Sequence, residues 1–375
     1  MKKLRLMLFI PAITLSVLGL VMIYSASSYS AEVHYGDAFF YVKKQLLGFA
    51  PGLVLMYFAY KFPSERLKKL STWALAVSVI LLAAVFIPGL GQTSYGATRW
   101  INLGFITFQP SELAKFSLML FLAKIYSEKP PKSVKYLILP FAATAIVLAL
   151  IMAEPNMSVT LAIAVAVLLV TVAAGLDNKV VVALSLLALA AIPVLIVAEP
   201  YRVRRLLAFL DPWANPKDEG YQLIQSYYAI GNGGIFGVGL FNSRQKYLFL
   251  PFAESDFIFS VIAEELGVIG CIFVMALYLV FIYAGIKTAF MQKDAFSRLA
   301  AFGLTVMIAV QSLMNMAVVT GSVPPTGLPL PFVSAGGSSL MVFMTATGLL
   351  AGFTGLSDKR SLISHNRLRR SYNVL

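Results

Sequence analysis

Charged side chains are scarce in this chain of 375 residues: Asp, Glu, Lys and Arg together make up 13% of it. An ordinary soluble domain carries about a quarter. Apolar residues fill 59%, and the mean hydropathy is +0.81. Soluble globular, disordered and collagen-like classes are thereby excluded. Cysteine is nearly absent. The single Cys271 rules out a disulfide scaffold and a thiolate metal cage. Only two histidines occur, His34 and His365, far apart in the chain, so no histidine-based metal site is expected. What charge there is leans basic, 30 Lys and Arg against 17 Asp and Glu, for a net +13. In a soluble protein that balance would suggest nucleic acid. In a membrane protein it reports which side each loop faces. The composition points to an all-α polytopic membrane protein with no nucleic-acid partner.

A bilayer core about 30 Å thick needs about 20 apolar residues per helix. Apolar runs between polar breaks predict spans near 8–29, 44–60, 71–88, 111–127, 136–153, 157–175, 180–198, 257–286, 299–320 and 335–356, about ten transmembrane helices. The first run is too long for a cleavable signal peptide. Placing the N-terminus in the cytoplasm sorts 20 of the 30 basic residues to the inner side, together with only five of the 17 acids. The inner side then carries +15 and the outer side −2, as the positive-inside rule requires. Both termini are therefore expected inside. One transmembrane domain is expected over 1–375, with a basic cytoplasmic tail at 357–375 and a large extracellular loop at 199–256, between helices 7 and 8.

Two outer segments, about 89–110 and 199–256, are long enough to be more than connections. Within the second, Leu223, Ile224, Tyr227 and Tyr228 recur at helical spacing, which predicts an interfacial amphipathic helix over 221–230. Ionisable groups at membrane depth are costly, so each outer-side one has a structural and a functional reading. Asp256, where the long loop enters an apolar run, reads as a helix N-cap, as a general base, or as both. Glu264 lies about two turns deeper and about 80° around the helix, Glu265 about 180° around. For these two an ion pair with a neighbouring helix weighs at least as much as a direct role. Glu112 and Lys115, after Pro110 and Ser111, can pair at i,i+3 spacing, or offer Lys115 to a phosphate. Arg99 and Lys246, set among apolar and aromatic residues, suit an anion such as pyrophosphate. Arg202, Arg204 and Arg205 read first as headgroup contacts. The proline-rich run 324–332 forces irregular backbone. The Gly336-Gly337-Ser338-Ser339 start of the last span could present amides to an anion or allow close helix packing.

In order and spacing, these elements resemble the shape, elongation, division and sporulation (SEDS) family, the FtsW/RodA/SpoVE proteins. The resemblance runs from Gly19 to Gly355. It rests on GLVMIYSAS at 19–27, RWI at 99–101, FQPSELAK at 108–115, FLDPW at 209–213 and GYQ at 220–222. It rests also on GVG at 237–239, QKY at 245–247, DFIF at 256–259, EELG at 264–267 and LPFVSAGGSS at 330–339. Several of these look closer to the division branch, FtsW and SpoVE, than to the elongation branch.

The resemblance implies a peptidoglycan glycosyltransferase of the bacterial cytoplasmic membrane, multi-pass, with its site facing the periplasm. Its substrate would be lipid II, an undecaprenyl-pyrophosphate-linked disaccharide pentapeptide. A class B penicillin-binding protein and other divisome proteins would be partners. The essential residue of the family falls at Asp256, and Arg99, Glu112, Lys115 and Lys246 match positions tied to activity or the cavity. Glu264 and Ser338 complete the candidate substrate-binding set. Three departures stand out: PFAESD at 251–256 puts Glu254 where the family usually has histidine, PNMSV at 155–159 replaces Pro-Asp-x-Gly-Thr, and Ala335 replaces a tyrosine.

The expected chemistry is inverting transfer, with Asp256 as base and Arg99, Lys115 and Lys246 on the pyrophosphate. A divalent cation (Mg or Mn) could assist, although no dedicated ligand cluster is present. A lipid II flippase and a non-catalytic scaffold for the penicillin-binding protein are the rival readings.

Overall fold

In the computed structural model, which describes residues 2–372 apart from 95–96, 103, 105–106 and 132, ten long helices form the bundle. They are α1 (Lys2–Tyr35), α2 (Phe40–Lys61), α3 (Ser64–Ala84), α4 (Pro110–Glu128), α5 (Ile138–Ala153), α6 (Met157–Ala173), α7 (Asn178–Val197), α10 (Ile258–Phe290), α11 (Ala295–Val319) and α12 (Gly337–Tyr372). Two shorter helices, α8 (Pro200–Leu210) and α9 (Tyr221–Gly233), lie in the connection between α7 and α10. Each expected span has its helix, and α9 covers the expected interfacial segment. An even number of crossings returns the chain to the side on which it began.

Helix α4 is the axle of the bundle. Its residues are buried over most of their length, and α3, α6, α11 and α12 pack around it. Pro110 opens it at a position where the missing N–H costs nothing. Helices α2 and α12 lie against each other through small residues. A Cβ on Gly48 would stand 2.3 Å from the Gly337 carbonyl oxygen, and one on Gly348 would stand 2.2 Å from that of Met56. Small residues that let backbones approach are how membrane helices gain contact in lipid. At the other extreme, α7 buries no side chain among the described residues; Leu186, Leu187 and Val194 are exposed. It touches little but α6 and α8, so its apolar surface faces lipid.

The 89–110 segment is more ordered than its reading as a loop suggested. Strands β1 (Gly91–Ser94), β2 (Ala97–Asn102) and β3 (Thr107–Phe108) form a small antiparallel sheet in that order, with a bulge between Gln92 and Thr93. Such short strands leave little hydropathy signal, because three or four alternating residues cannot be told from a loop.

Helix α10 is broken. Gly267 has φ 64° and ψ −164°, and the segment that follows α9 fills the gap. Val238 and Gly239 donate to the carbonyls of Glu264 and Glu265 (2.9 and 3.1 Å), while Val268 and Ile269 donate to Gly234 and Ile235 (3.0 and 3.3 Å). Backbone groups freed at membrane depth thus find partners within the protein.

Candidate functional site

The site is built on the turn 251–257 that leads into α10. Three successive carbonyls of this turn are tied down by three different donors. The Ala335 amide donates to Glu254 (2.9 Å), the Ser334 hydroxyl to Ser255 (2.6 Å) and the Asn315 amide group to Asp256 (2.8 Å). Asn315, buried on α11, donates also to the Leu328 carbonyl (2.7 Å), binding the proline-rich segment to the same turn.

Asp256 does not cap α10. Phe257 is the N-cap, and no side chain closes the helix start. One of the two readings of this residue is thereby corrected: the chain turns one residue too late for the carboxylate to reach the first free amides. Among the described residues no hydrogen bond or ion pair is made to that carboxylate. On the opposite wall is Gly327, with φ +70°, where a Cβ would stand 3.3 Å from Asp256 Oδ2. Burial, and then the neighbouring Glu254, push the Asp256 carboxyl up to about 6, against the pull of Arg205 and Arg99. A carboxylate at that level is still mostly ionised at neutral pH and is a stronger base than an ordinary aspartate.

Arg99 reaches this place from β2. Its Nε donates to the Glu154 carbonyl (2.9 Å) and its Nη2 to the Pro155 carbonyl (2.6 Å), so the fork is locked on the α5–α6 turn. Beside it the Glu154 carboxyl is buried, with neither oxygen partnered among the described residues. Burial pushes Glu154 up to about 8, with Arg99 pulling the other way, so it holds its proton at neutral pH. Arg205 approaches from α8, on the wall of a cleft of about 430 Å³ that runs between Tyr221, Gln222, Pro251 and Pro325. Cavities of that size accommodate small organic ligands. Its neighbour Arg204 is engaged instead with Glu219 (2.8 Å).

The other expected site residues are placed elsewhere. Lys115 and Glu112 form a buried pair (2.8 Å). The lysine also donates to Gln311 (2.5 Å), and Ser339 donates to the second Glu112 oxygen (2.9 Å). All its charge is spent inside the bundle, so this pair braces the 329–339 segment rather than facing the cleft. Lys246 is buried, donating to the Phe241 carbonyl and lying over the Tyr247 ring. Glu264 accepts from the Ser243 hydroxyl and the Arg244 amide (3.1 Å). Glu265 accepts from Ser25 (2.5 Å) and from the amides of Phe241 and Ser243 (3.1 Å each). The adjacent carboxylates hold the 241–245 loop onto α10 and α1. Ser338 is buried at the start of α12; the Gly336 amide is taken by Gln45 (2.8 Å), and Gly337 serves close packing on α2.

Of the expected cations, only Arg99 acts on Asp256. Arg205, Glu154 and Glu254 join it without having been singled out for this site. Arg205 sits in a cationic helix that reads equally well as a headgroup contact, and nothing local distinguishes its direction.

Comparison with known proteins agrees with this architecture. A family model described as a cell cycle protein, spanning FtsW, RodA and SpoVE, matches residues 5–356. A probable peptidoglycan glycosyltransferase FtsW from Geobacter sulfurreducens is 39% identical over 353 residues, covering 92% of this chain and 93% of its own. Stage V sporulation protein E from Bacillus subtilis is 38% identical over 349 residues, covering 92% and 95%. Among solved structures, a chain of a peptidoglycan synthase complex, described for its coordination of polymerization and crosslinking, superposes with a TM-score of 0.77. It is 30% identical and covers 92% of this chain and 95% of its own. The rod shape determining protein RodA of Thermus thermophilus superposes at 0.69 with 27% identity, covering 93% and 96%. With its family model matched over nearly the whole length and its helices laid out as in these relatives, this multi-pass membrane chain belongs to the FtsW/RodA/SpoVE family.

Proposed function

We propose that this protein is a peptidoglycan glycosyltransferase that polymerises lipid II on the outer face of the cytoplasmic membrane, in cell division or septal wall synthesis. The observation that carries the reading is Asp256: a carboxylate on a pinned turn, free of structural duties, with two arginines from separate elements in its field. As base, Asp256 would take the proton from the acceptor's sugar 4-hydroxyl as that oxygen attacks the anomeric carbon of the donor. The bond to undecaprenyl pyrophosphate breaks on the opposite face, which inverts the centre. The departing pyrophosphate carries its own negative charge away, so what it needs is cations, not a strong acid. Arg99 and Arg205 supply them. General-base catalysis contributes about 10²–10⁴-fold, and fixed charges aimed at the leaving group contribute further. Among the described residues no group of three or more His, Cys, Asp or Glu side chains could hold a metal ion; a divalent cation taking part would be held by one or two carboxylates together with the substrate, and would help to neutralise the charge of the leaving group.

The lipid-exposed α7 and the cleft beside α8 suit a substrate whose tail stays in the bilayer while its sugars reach the turn. A class B penicillin-binding protein is the partner this reading implies, along with other divisome proteins. Its rivals are a lipid II flippase and a non-catalytic scaffold. Among the described residues the buried charged side chains (Glu112, Lys115, Glu154, Lys246, Glu264 and Glu265) all belong to the half assigned to the outside, whereas a flippase would need charged groups along the whole depth.

The test is polymerisation of lipid II by purified protein in detergent or proteoliposomes, with and without a class B partner. Wild type should yield glycan strands, and Asp256→Ala none, while inserting and melting normally. Polymer from Asp256→Ala at the wild-type rate would refute the assignment.

A further inference from the structure

At the end of the bundle assigned to the cytoplasm, the first turns of α1 run beside the last turns of α10, and a cavity of about 330 Å³ opens between them. It is lined by Lys3, Leu4 and Met7 of α1, by Tyr283 and Lys287 of α10 and by Met291 just beyond it. Its side-chain polar groups are two ammoniums and a phenol. Lys287 Nζ donates to the Tyr283 hydroxyl (3.0 Å), which leaves the phenol proton free to donate in turn. Among the described residues no carboxylate pairs with Lys3 or Lys287. Asp294, the acid nearest to Lys287 in sequence, accepts instead from the amide and hydroxyl of Ser297 at the start of α11 (2.9 Å each). Other basic groups of this end do have partners: Arg5 donates to the Tyr60 hydroxyl (2.8 Å), and Lys68 pairs with Glu128 (3.1 Å). We propose that the cavity binds the headgroup of an anionic glycerophospholipid of the inner leaflet, its phosphate held by Lys3, Lys287 and the Tyr283 hydroxyl. This site stands apart from the turn that carries Asp256 and does not depend on the reading of that residue.

The chemistry of the lining selects this ligand. A phosphodiester carries one negative charge on oxygens that only accept, and the polar side chains here offer it only donors. The remaining wall, Leu4, Met7 and Met291, is apolar, which suits a glycerol backbone and first methylenes better than a free hydrated ion. The apolar surface also continues toward the bilayer on both helices. One turn on from Met7 is Ile10, 55% exposed, and one turn back from Tyr283 are Leu279 and Val280, 66% and 37% exposed; residues at this spacing share a helix face. The cavity itself is at the small end of ligand sites, so it takes a headgroup while the acyl chains lie along those faces. Basic pockets between transmembrane helices on the cytoplasmic side hold anionic headgroups in this way. An acidic protein segment would satisfy the lysines but would leave the apolar continuation unused.

The experiment titrates the full-length protein, in neutral detergent, with phosphatidylglycerol or with phosphatidylcholine of the same chains, and counts bound lipid by native mass spectrometry. Wild type should hold its first phosphatidylglycerol about tenfold or more tightly than its first phosphatidylcholine. Each cation near a headgroup is worth about fivefold, so Lys3→Gln and Lys287→Gln should each weaken phosphatidylglycerol by about that much and the double variant by about thirtyfold. Both lysines are exposed, so neither change disturbs the packed interior. Met7→Trp, which fills the cavity and leaves the charges alone, should weaken binding as well. Lys124→Gln with Lys179→Gln removes the same charge from elsewhere on this side and should leave the affinity within about twofold of wild type. A cavity double variant that binds like wild type, or a control double variant that loses as much, overturns the site. Phosphatidylcholine held as tightly as phosphatidylglycerol overturns the choice of an anionic headgroup. An excess of inorganic phosphate should not displace the lipid; displacement would overturn the lipid assignment in favour of a free-phosphate site.

Discussion

Replacing Lys115 by alanine removes a cation from a fully buried place in the bundle. Lys115 and Glu112 are 0% and 1% exposed, with Nζ and Oε1 2.8 Å apart. Removing one member of a buried pair costs about 3–5 kcal/mol, because the other is left as an uncompensated charge. Here Ser339 still donates to the second Glu112 oxygen, which places the cost toward the lower end. Loss of the stem, whose ammonium lies 5.4 Å from the centre of the Phe343 ring, adds a small cavity. For a chain of this size roughly 1–2 °C of melting shift accompanies each kcal/mol, so Lys115→Ala should melt roughly 4–8 °C lower. The double variant Lys115→Met with Glu112→Gln removes both charges and keeps the volume, and should recover most of the loss. Intrinsic fluorescence during thermal unfolding in detergent reads both. A single variant as stable as wild type, or a double variant as unstable as the single, would show that the pair is not the brace described here. Polymer output should fall with the single variant too, because Gln311, the other partner of Lys115, donates to the Pro329 carbonyl (2.9 Å) in the segment that borders Asp256.

Two further outcomes follow from the geometry. Arg205→Ala should cut the polymerisation rate by about ten- to a hundredfold with no change in melting temperature, whereas Arg204→Ala, whose guanidinium is engaged with Glu219, should do far less; equal initial rates for the two would remove Arg205 from the site. Gly237→Ala should destabilise by more than about 1 kcal/mol, since φ is +78° and a Cβ would stand 2.1 Å from the Glu265 carbonyl oxygen, while Gly231→Ala, with nothing within 4 Å of its Cβ, serves as the control in the same melting assay.

The membrane class and the helices that answer the expected spans were legible in the residues, because hydropathy is a local quantity that each segment carries by itself. The i,i+3 pairing of Glu112 with Lys115 was legible for the same reason: one helical turn decides it. Asp256 stood out as an acid at a loop–helix junction, and the family resemblance sharpened it. Which cations share its field was not legible. Arg99 arrives from a small sheet whose strands are too short to leave a pattern, and Arg205 from a helix with three arginines that no local pattern tells apart. Lys246 and Glu264, equally plausible as letters, are consumed in holding a loop to a broken helix, a need that exists only once Gly267 interrupts α10. Burial, partners and direction arise only when separate segments, such as those carrying Arg99, Arg205 and Gly327 around Asp256, are packed together. The chain thus determined by itself where it crosses the bilayer and which acid to suspect, and packing alone decided which neighbours that acid has.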